Sequence, residues 1–388
     1  MRIFSGVMAA LALVSCTTTP AERPLANLST PRTPLGAGDA GVLFWDQATR
    51  TDRFRRLEDF YAGHEVAPAP TPRALPSGAP LDAATVAKIA PLLETMNAAG
   101  IMVLQDGKVR YEQYRLGFTP QQRWTSFSVA KSFTSTLLGA AVKDGALSLS
   151  DPVTRHLPGL GGTAYDGVTV EQVATMTSGV KWNEDYTDPA SDVARMLLVA
   201  PVAGEPQSVT YAKTLVREAP AGSKWVYKTL ETNLLGDIVA AATGKTLAAF
   251  AKEKIVDPAG FAGGLFWMTD LTGRNIGGCC LSVRLADYAR MGQWVMDGGQ
   301  PSVAADWFAR AGGERVAIGN GNGYGYQWWT NPAGFGARGI FGQYITIVPR
   351  ERLVIAVVSS GPAATGRPQN EASSALFRTI AQAVSGAQ

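Results

Sequence analysis

Histidine is very scarce in this chain of 388 residues, which has only His64 and His156. His64 lies in a Pro/Ala-rich stretch and His156 precedes Leu157-Pro158. The sequence also has no G-x-S-x-G elbow, so a serine nucleophile activated by histidine and aspartate is not expected. Two isolated histidines equally argue against a histidine-rich metal site.

Cysteine is almost as scarce, with Cys16, Cys279 and Cys280 as the only examples. A disulfide between chain neighbours closes a strained ring. We therefore expect Cys279 and Cys280 to be small buried apolar residues without a redox or metal-binding role.

The chain also lacks a strong charge of either sign. Its net charge is +3, it contains no long basic run, and 17% of its residues are charged, so a nucleic-acid partner is not expected. The 46% hydrophobic content, 42 glycines and 23 prolines are typical of a loop-rich globular enzyme. The length allows one large domain or two modest ones.

The N-terminus has the pattern of a bacterial lipoprotein signal. Arg2 precedes a short apolar run from Ile3 to Val14, and Leu13-Val14-Ser15-Cys16 has the form of a lipobox. We expect residues 1–16 to be a signal peptide with lipidation at Cys16; a plain signal peptide is the alternative. Residues 17–82 are then a tether and N-terminal extension, and residues 83–388 a catalytic domain. A lipid anchor predicts the periplasmic side of the bacterial envelope, with the membrane as a partner.

Ser128 and Lys131 are the candidate nucleophile and base. An apolar pattern predicts a helix that begins there, so the two side chains share a helix face one turn apart. The positive end of the helix dipole lowers the pKa of a lysine there, which favours a base for the serine hydroxyl. The Ser128 backbone N–H is also a candidate oxyanion donor. A second S-x-x-K, Ser178 to Lys181, contains Gly179 and no apolar run follows it, so we interpret it as a loop.

The remaining periodicity predicts an α+β fold. Strands at both ends of the chain form one antiparallel sheet flanked by helices, and the region between them forms a mostly helical lobe. The predicted strands are Ile101 to Leu104, Val109 to Tyr114, Gly339 to Val348 and Leu353 to Ser359. The predicted helices are Ala83 to Ala99, the one after Ser128, Glu231 to Ala242, Thr246 to Val256, one capped by Ser282, and Asn370 to Val384.

The order of these motifs resembles the serine β-lactamase and penicillin-recognising hydrolase superfamily. The likeness runs from about Gly100 to Gly361 and is greatest to the class C-like branch, which holds esterases, D-amino acid peptidases and 6-aminohexanoate-dimer hydrolases. The motifs are Ser128-Val129-Ala130-Lys131, Tyr227-Lys228-Thr229 and Ala337-Arg338-Gly339. The resemblance implies a β-lactamase/transpeptidase-like fold.

The resemblance also implies roles for single residues. Ser128, Lys131 and Tyr227 would be catalytic, and Ile340 would supply a second oxyanion N–H. Gly339, Thr229 and Tyr186 would contact the oxyanion or the substrate. Either Lys131 or Tyr227 can be the general base, because the two form a coupled pair. We expect the acids near Tyr186 to be solvated turn residues: Glu184, Asp185 and Asp188.

Two positions depart from the family pattern. Thr229 replaces the asparagine of Tyr-x-Asn, and Ala337 stands where β-lactam enzymes place a cation or imidazole for the antibiotic's carboxylate. Arg338 should point to the opposite face, because side chains alternate along a strand.

The implied function is a serine hydrolase that cleaves a small amide or ester through an acyl-enzyme, without a metal or organic cofactor. A β-lactamase or D-Ala-D-Ala peptidase, or a catalytically weak penicillin-binding envelope protein, is the alternative.

Overall fold

Two antiparallel sheets form the framework of the computed structural model, which describes residues 33–36 and 41–386. The larger sheet has eight strands in the order β3-β2-β12-β11-β10-β9-β8-β7, and the smaller has four in the order β1-β5-β6-β4. The strands are β1 (Gly63–Val66), β2 (Ala98–Gln105), β3 (Lys108–Tyr114), β4 (Trp124–Thr125), β5 (Leu265–Met268), β6 (Leu281–Val283), β7 (Val316–Gly319), β8 (Asn322–Tyr324), β9 (Trp329–Asn331), β10 (Gly334–Gly339), β11 (Gln343–Val348) and β12 (Leu353–Ser359).

Helices cover both faces of the larger sheet, which confirms the predicted α+β class. The helices are α1 (Gln47–Arg53), α2 (Ala83–Thr95), α3 (Val129–Lys143), α4 (Val153–His156), α5 (Val170–Ala174), α6 (Asp192–Leu198), α7 (Gln207–Ala212), α8 (Thr229–Thr243), α9 (Leu247–Ala251), α10 (Asp257–Ala259), α11 (Leu285–Met296), α12 (Trp307–Ala311) and α13 (Arg367–Ser385). On the outer face, α2 and α13 pack on β2, β11 and β12 around a separate apolar core. On the inner face, α3 and α11 contact the sheet, and α8 packs on α3.

Helix α3 lies in the centre of the molecule and is buried on every side from Val129 to Ala141. Its hydroxyl side chains are hydrogen-bonded, as burial of polar groups requires: Ser132 Oγ donates to the Gln327 carbonyl at 2.8 Å, and Thr134 Oγ1 donates to the Gly277 carbonyl at 2.7 Å. The start of α3, and therefore Ser128, is fixed by packing from all directions.

Residues 41–82 are packed into the same compact unit as the rest of the described chain. Strand β1 pairs with β5 and completes the smaller sheet. The Phe54 and Leu57 side chains are fully buried. The part of the expected N-terminal extension that the structure describes is therefore built into the fold. The rest of the extension, and the predicted signal with Cys16, lie outside the described residues.

Three local expectations were wrong. The terminal strand does not run unbroken from Gly339 to Val348; it divides into β10 and β11 at Gly342, whose φ is +94°, a conformation that favours glycine. Ser282 lies in β6, and Arg284 is the residue that precedes α11.

The third concerns Cys279 and Cys280, which are joined by a disulfide instead of being unpaired. Cys280 is fully buried, as expected, and Cys279 is partly buried.

No single helix in the described part of the chain is long and apolar enough to cross a membrane. The bent pair Thr229–Thr243 and Leu247–Ala259 meets the length and composition test when the two helices are taken together.

Candidate active site

Ser128 lies at the N-cap of α3, directly after a residue in a left-handed conformation. Phe127 has φ +42°, which is unfavourable for a bulky side chain. Its ring is held by Phe54 at 4.9 Å and Phe341 at 5.2 Å between ring centroids. This aromatic packing fixes the backbone that presents the Ser128 hydroxyl and N–H.

Lys131 is within hydrogen-bonding distance of the serine. Its Nζ contacts Ser128 Oγ at 3.1 Å, Thr229 Oγ1 at 3.0 Å and the Gly278 carbonyl at 2.8 Å. The side chain is 1% exposed, and burial lowers the pKa of Lys131 to about 8, although the negative charge of Glu184 opposes this shift. The helix dipole was our expected cause; the structure instead indicates loss of solvation. The geometry nevertheless gives a lysine whose neutral form is populated near neutral pH and lies beside the nucleophile.

Tyr227 lies against the same ammonium group. Lys131 Nζ is 5.3 Å from the centre of its ring, which stacks on Trp329 at 5.4 Å. Burial, and next the charge of Glu184, raise the pKa of the Tyr227 hydroxyl above its ordinary value. Tyr227 is therefore a protonated phenol, which suits it as a proton donor.

The oxyanion donors are placed by a close approach of β10 to the start of α3. A Cβ at Gly339 would lie 2.5 Å from the Ser126 carbonyl oxygen and 3.1 Å from the Ser128 nitrogen, so only glycine fits here. Ile340 follows Gly339 and lines the same cleft as Ser128. Neither the Ser128 N–H nor the Ile340 N–H has an acceptor within the described chain, which leaves both for a ligand.

Glu184 belongs to this site, contrary to our expectation of a solvated turn residue. Its carboxylate accepts hydrogen bonds from the Thr229 N–H at 3.0 Å and the Tyr186 hydroxyl at 2.7 Å, and further ones from Thr229 Oγ1 and Trp182 Nε1. Thr229 in turn contacts Lys131, so the carboxylate is linked to the lysine through one hydroxyl group. Sequence reasoning missed it because nothing in the local pattern reveals that this loop folds onto the start of α8.

The hydroxyl groups of Thr229 and Tyr186 are thus engaged within the protein. Tyr186 lines the cleft that contains Ser128, while Thr229 is only 6% exposed. Substrate contact by these two residues stays a prediction. Of the other two acids near Tyr186, Asp185 is exposed and accepts hydrogen bonds from Thr187, and Asp188 accepts one from the Ala190 N–H.

The second S-x-x-K lies in a loop, as predicted, and has a different environment. Ser178 is buried and donates to Glu231, whereas Lys181 is exposed. Glu231 is also paired with the buried Lys228, with 3.4 Å between Nζ and Oε1. This buried cluster supports the turn that carries Tyr227 and Thr229, so Ser178 has a structural environment, and the nearby Lys228 is paired with Glu231.

Strand β10 has an unbroken register with β11, from Phe335 opposite Ile347 to Gly339 opposite Gln343. Ala337 is buried in the inner core, while Arg338 pairs with Tyr344 of the outer core. This confirms that Arg338 points away from the α3 face. Its guanidinium lies over Trp329, 5.3 Å from the ring centre, at the rim of the cleft. The Ala337-Arg338-Gly339 motif ends β10 and does not begin the terminal strand.

The sequence and the fold are similar to those of known proteins. Residues 86–269 match the family described as Beta-lactamase. The chain is 30% identical over 329 residues to the 6-aminohexanoate-dimer hydrolase of Paenarthrobacter ureafaciens, covering 75% of this chain and 80% of that protein.

Solved structures agree on the fold. A proposed 6-aminohexanoate-dimer hydrolase from Bacillus anthracis superposes with a TM-score of 0.76 at 21% identity, over 87% of this chain and 94% of that chain. A proposed β-lactamase from Bacteroides dorei gives 0.63 at 20% identity, over 79% and 99%. This chain therefore belongs to the β-lactamase family of serine hydrolases.

Proposed function

We propose that this enzyme hydrolyses linear amides or esters through an acyl-enzyme on Ser128. The single observation that supports this most directly is the 3.1 Å contact between Ser128 Oγ and a fully buried Lys131. Neutral Lys131 accepts the serine proton as Oγ attacks the carbonyl carbon. The N–H groups of Ser128 and Ile340 stabilise the oxyanion that forms.

Tyr227 then donates its proton to the departing amine or alcohol and is reprotonated through Lys131. Water attacks the acyl-enzyme in the second half of the reaction, with the same groups in reversed roles. The cleft of about 450 Å³ in front of Ser128 is lined mainly by apolar surface from Tyr186, Tyr227, Trp329 and Ile340, which suits a flexible carbon chain. The likeness to a 6-aminohexanoate-dimer hydrolase supports a linear amide as the substrate.

The test is labelling by a fluorophosphonate probe together with hydrolysis of p-nitrophenyl butyrate. Ser128→Ala should abolish both, because it removes the nucleophile. Ser178→Ala is the matched control and should retain both, since the Ser178 hydroxyl donates to Glu231 and lies outside the cleft that contains Ser128. Equal loss in the two variants, or a wild-type protein that the probe does not label, would contradict the proposal.

We further propose that the enzyme is a lipoprotein of the bacterial envelope, anchored through Cys16 on the periplasmic side. The support is the sequence pattern Leu13-Val14-Ser15-Cys16 after a short apolar run. Cys16→Ser should move the protein from the membrane to the soluble fraction with unchanged specific activity. A mature wild-type N-terminus without a diacylglyceryl mass would contradict this assignment.

A further inference from the structure

The catalytic cleft continues into a second groove beside α13. This groove has a volume of about 570 Å³, and Arg338, Ser374 and Phe377 line both spaces. A chain bound at Ser128 can therefore extend past Arg338 along α13 without leaving the protein surface.

The groove exists because the outer face of the larger sheet is only partly covered. Helices α2 and α13 pack on β2, β11 and β12, but in β10 the positions that share the outer face with Arg338 are Gly334 and Gly336, which have no side chains. The wall that α13 contributes includes small residues on one helix face: Ser374, Ala381 and Ser385. The β10 part of the floor is thus backbone, and Thr346 and Val348 of β11 also line the groove. The space admits an extended chain of little bulk.

The middle of the groove is positively charged. The Arg338 guanidinium lies over Trp329, and Arg378 lies four residues beyond Ser374 on α13. Within the described ranges neither arginine is paired with a carboxylate, whereas Arg367 of the same helix contacts Glu371 at 2.7 Å. Glu351 lines the groove as well, contacting Arg350 at 3.9 Å and accepting a hydrogen bond from Ser385 at 3.3 Å. The groove therefore offers an anionic group two guanidinium groups that no carboxylate of the described chain occupies.

The rise per residue of α13 gives the distance from the cleft to the far end of the groove. Gln369 lines the cleft and Ser385 the groove, and sixteen residue steps of 1.5 Å give about 24 Å. Arg378 lies nine steps from Gln369, or about 13.5 Å. At about 3.4 Å per three backbone bonds, this distance corresponds to about twelve bonds of an extended chain.

We infer that the groove binds the distal carboxylate of a long linear substrate, about twelve bonds from the amide or ester that reacts at Ser128. This inference rests on the proposed function and names its substrate class: linear, carboxylate-bearing amides or esters. Arginine suits the role because its guanidinium binds a carboxylate through two parallel hydrogen bonds.

The test compares p-nitrophenyl monoesters of linear dicarboxylic acids with the same esters capped by a methyl group. Acid chains of four to twelve carbons are used. A second series uses amides of ω-amino acids whose carboxylate is either free or methyl-capped. In this series the carboxylate lies on the leaving group instead of on the acyl group. In the series whose chain runs along α13, kcat/KM at the longest chains should be about tenfold higher for the free carboxylate than for its methyl-capped partner. At the shortest chains the two values should be equal.

The ratio of kcat/KM for the free carboxylate to kcat/KM for the methyl-capped partner is compared at the longest chains. Arg338→Gln and Arg378→Gln should each lower this long-chain ratio about tenfold, and Arg338→Lys should restore part of it. Arg367→Gln, whose side chain is 88% exposed and paired with Glu371, is the matched control and should keep the full ratio. A ratio of one at all lengths in both series, or a ratio that neither arginine variant lowers, overturns the inference. If short neutral esters are still hydrolysed in that case, the proposed function stands; no hydrolysis and no probe labelling would overturn both.

Discussion

In the proposed mechanism, the reactivity of Ser128 depends on the protonation of Lys131, whose pKa burial lowers to about 8. Only the neutral amine accepts the serine proton, so kcat/KM should rise with pH through about 8. Between pH 6 and pH 8 the neutral fraction grows about fiftyfold. The measurement is a pH profile of p-nitrophenyl butyrate hydrolysis, corrected for spontaneous hydrolysis.

Lys131→Arg should abolish activity at every pH, because arginine is not deprotonated in proteins. Lys143→Arg, at the exposed end of the same helix, is the matched control. A flat profile between pH 6 and pH 9 in the wild type would contradict the role of Lys131 as the base.

Glu184 raises the pKa of Lys131 through its charge and holds Thr229 and Tyr186 in place. Glu184→Gln keeps the shape and removes the charge. The acidic limb of the pH profile should therefore move to lower pH, while kcat falls about tenfold because charge-assisted hydrogen bonds are lost. Asp185→Asn, the exposed neighbour, should change neither. A reduced kcat with an unmoved limb would mean that Glu184 has only a structural role.

At the residue scale, the sequence correctly predicted contacts between residues that lie close together in the chain. Ser128 and Lys131 are one helical turn apart, and helix geometry alone brings them together. Tyr227 required a family motif, since 99 residues separate it from Ser128. Glu184 was misjudged because Thr229, the partner that links it to Lys131, is 45 residues away in the sequence. The direction of the Tyr227 pKa shift depends on burial that no local pattern reveals.

At the scale of elements, the side chains of β10 determine how well the enzyme binds and hydrolyses β-lactams. Ala337 supplies no cation on the α3 face, and Arg338 points to the outer face. The carboxylate of a β-lactam then lacks a charge-assisted hydrogen bond worth about 1.5–3 kcal/mol. This loss corresponds to roughly ten- to a hundredfold weaker binding. Nitrocefin hydrolysis should be weak beside clear activity on short acyl esters, and Arg338→Ala should not change it. Efficient nitrocefin turnover that Arg338→Ala removes would refute this assignment.

The long periodic elements agreed with the sequence, and the irregular ones did not. The β2–β3 hairpin, α3, α8 and α13 were predicted within a few residues. The break between β10 and β11 was missed because Gly342, with its positive φ, lies inside an otherwise strand-like run. The smaller sheet was missed because β4 and β6 have only two and three residues.

At the scale of the whole molecule, the N-terminal segment supports the site through Phe54. Its ring contacts Phe127 at 4.9 Å and Phe341 at 5.5 Å, the neighbours of Ser128 and Ile340. Phe54→Ala should lower the free energy of unfolding by about 3–5 kcal/mol and kcat by about tenfold, since both oxyanion donors lose support. Phe44→Ala, at a side chain 42% exposed, is the control. Thermal denaturation and ester hydrolysis measure the two effects; full activity in a folded Phe54→Ala protein would contradict the link.

The aromatic contact of Phe54 also has a practical consequence for expression and engineering. A recombinant version that starts at residue 86, where the family match begins, would lack both Phe54 and the β1 edge of the smaller sheet. Such a shortened enzyme would be purified in a less active form, and its low turnover would be mistaken for an unsuitable substrate. Cloning boundaries should therefore precede residue 41, and an affinity tag after α13 needs a spacer, because that helix forms one wall of the cleft.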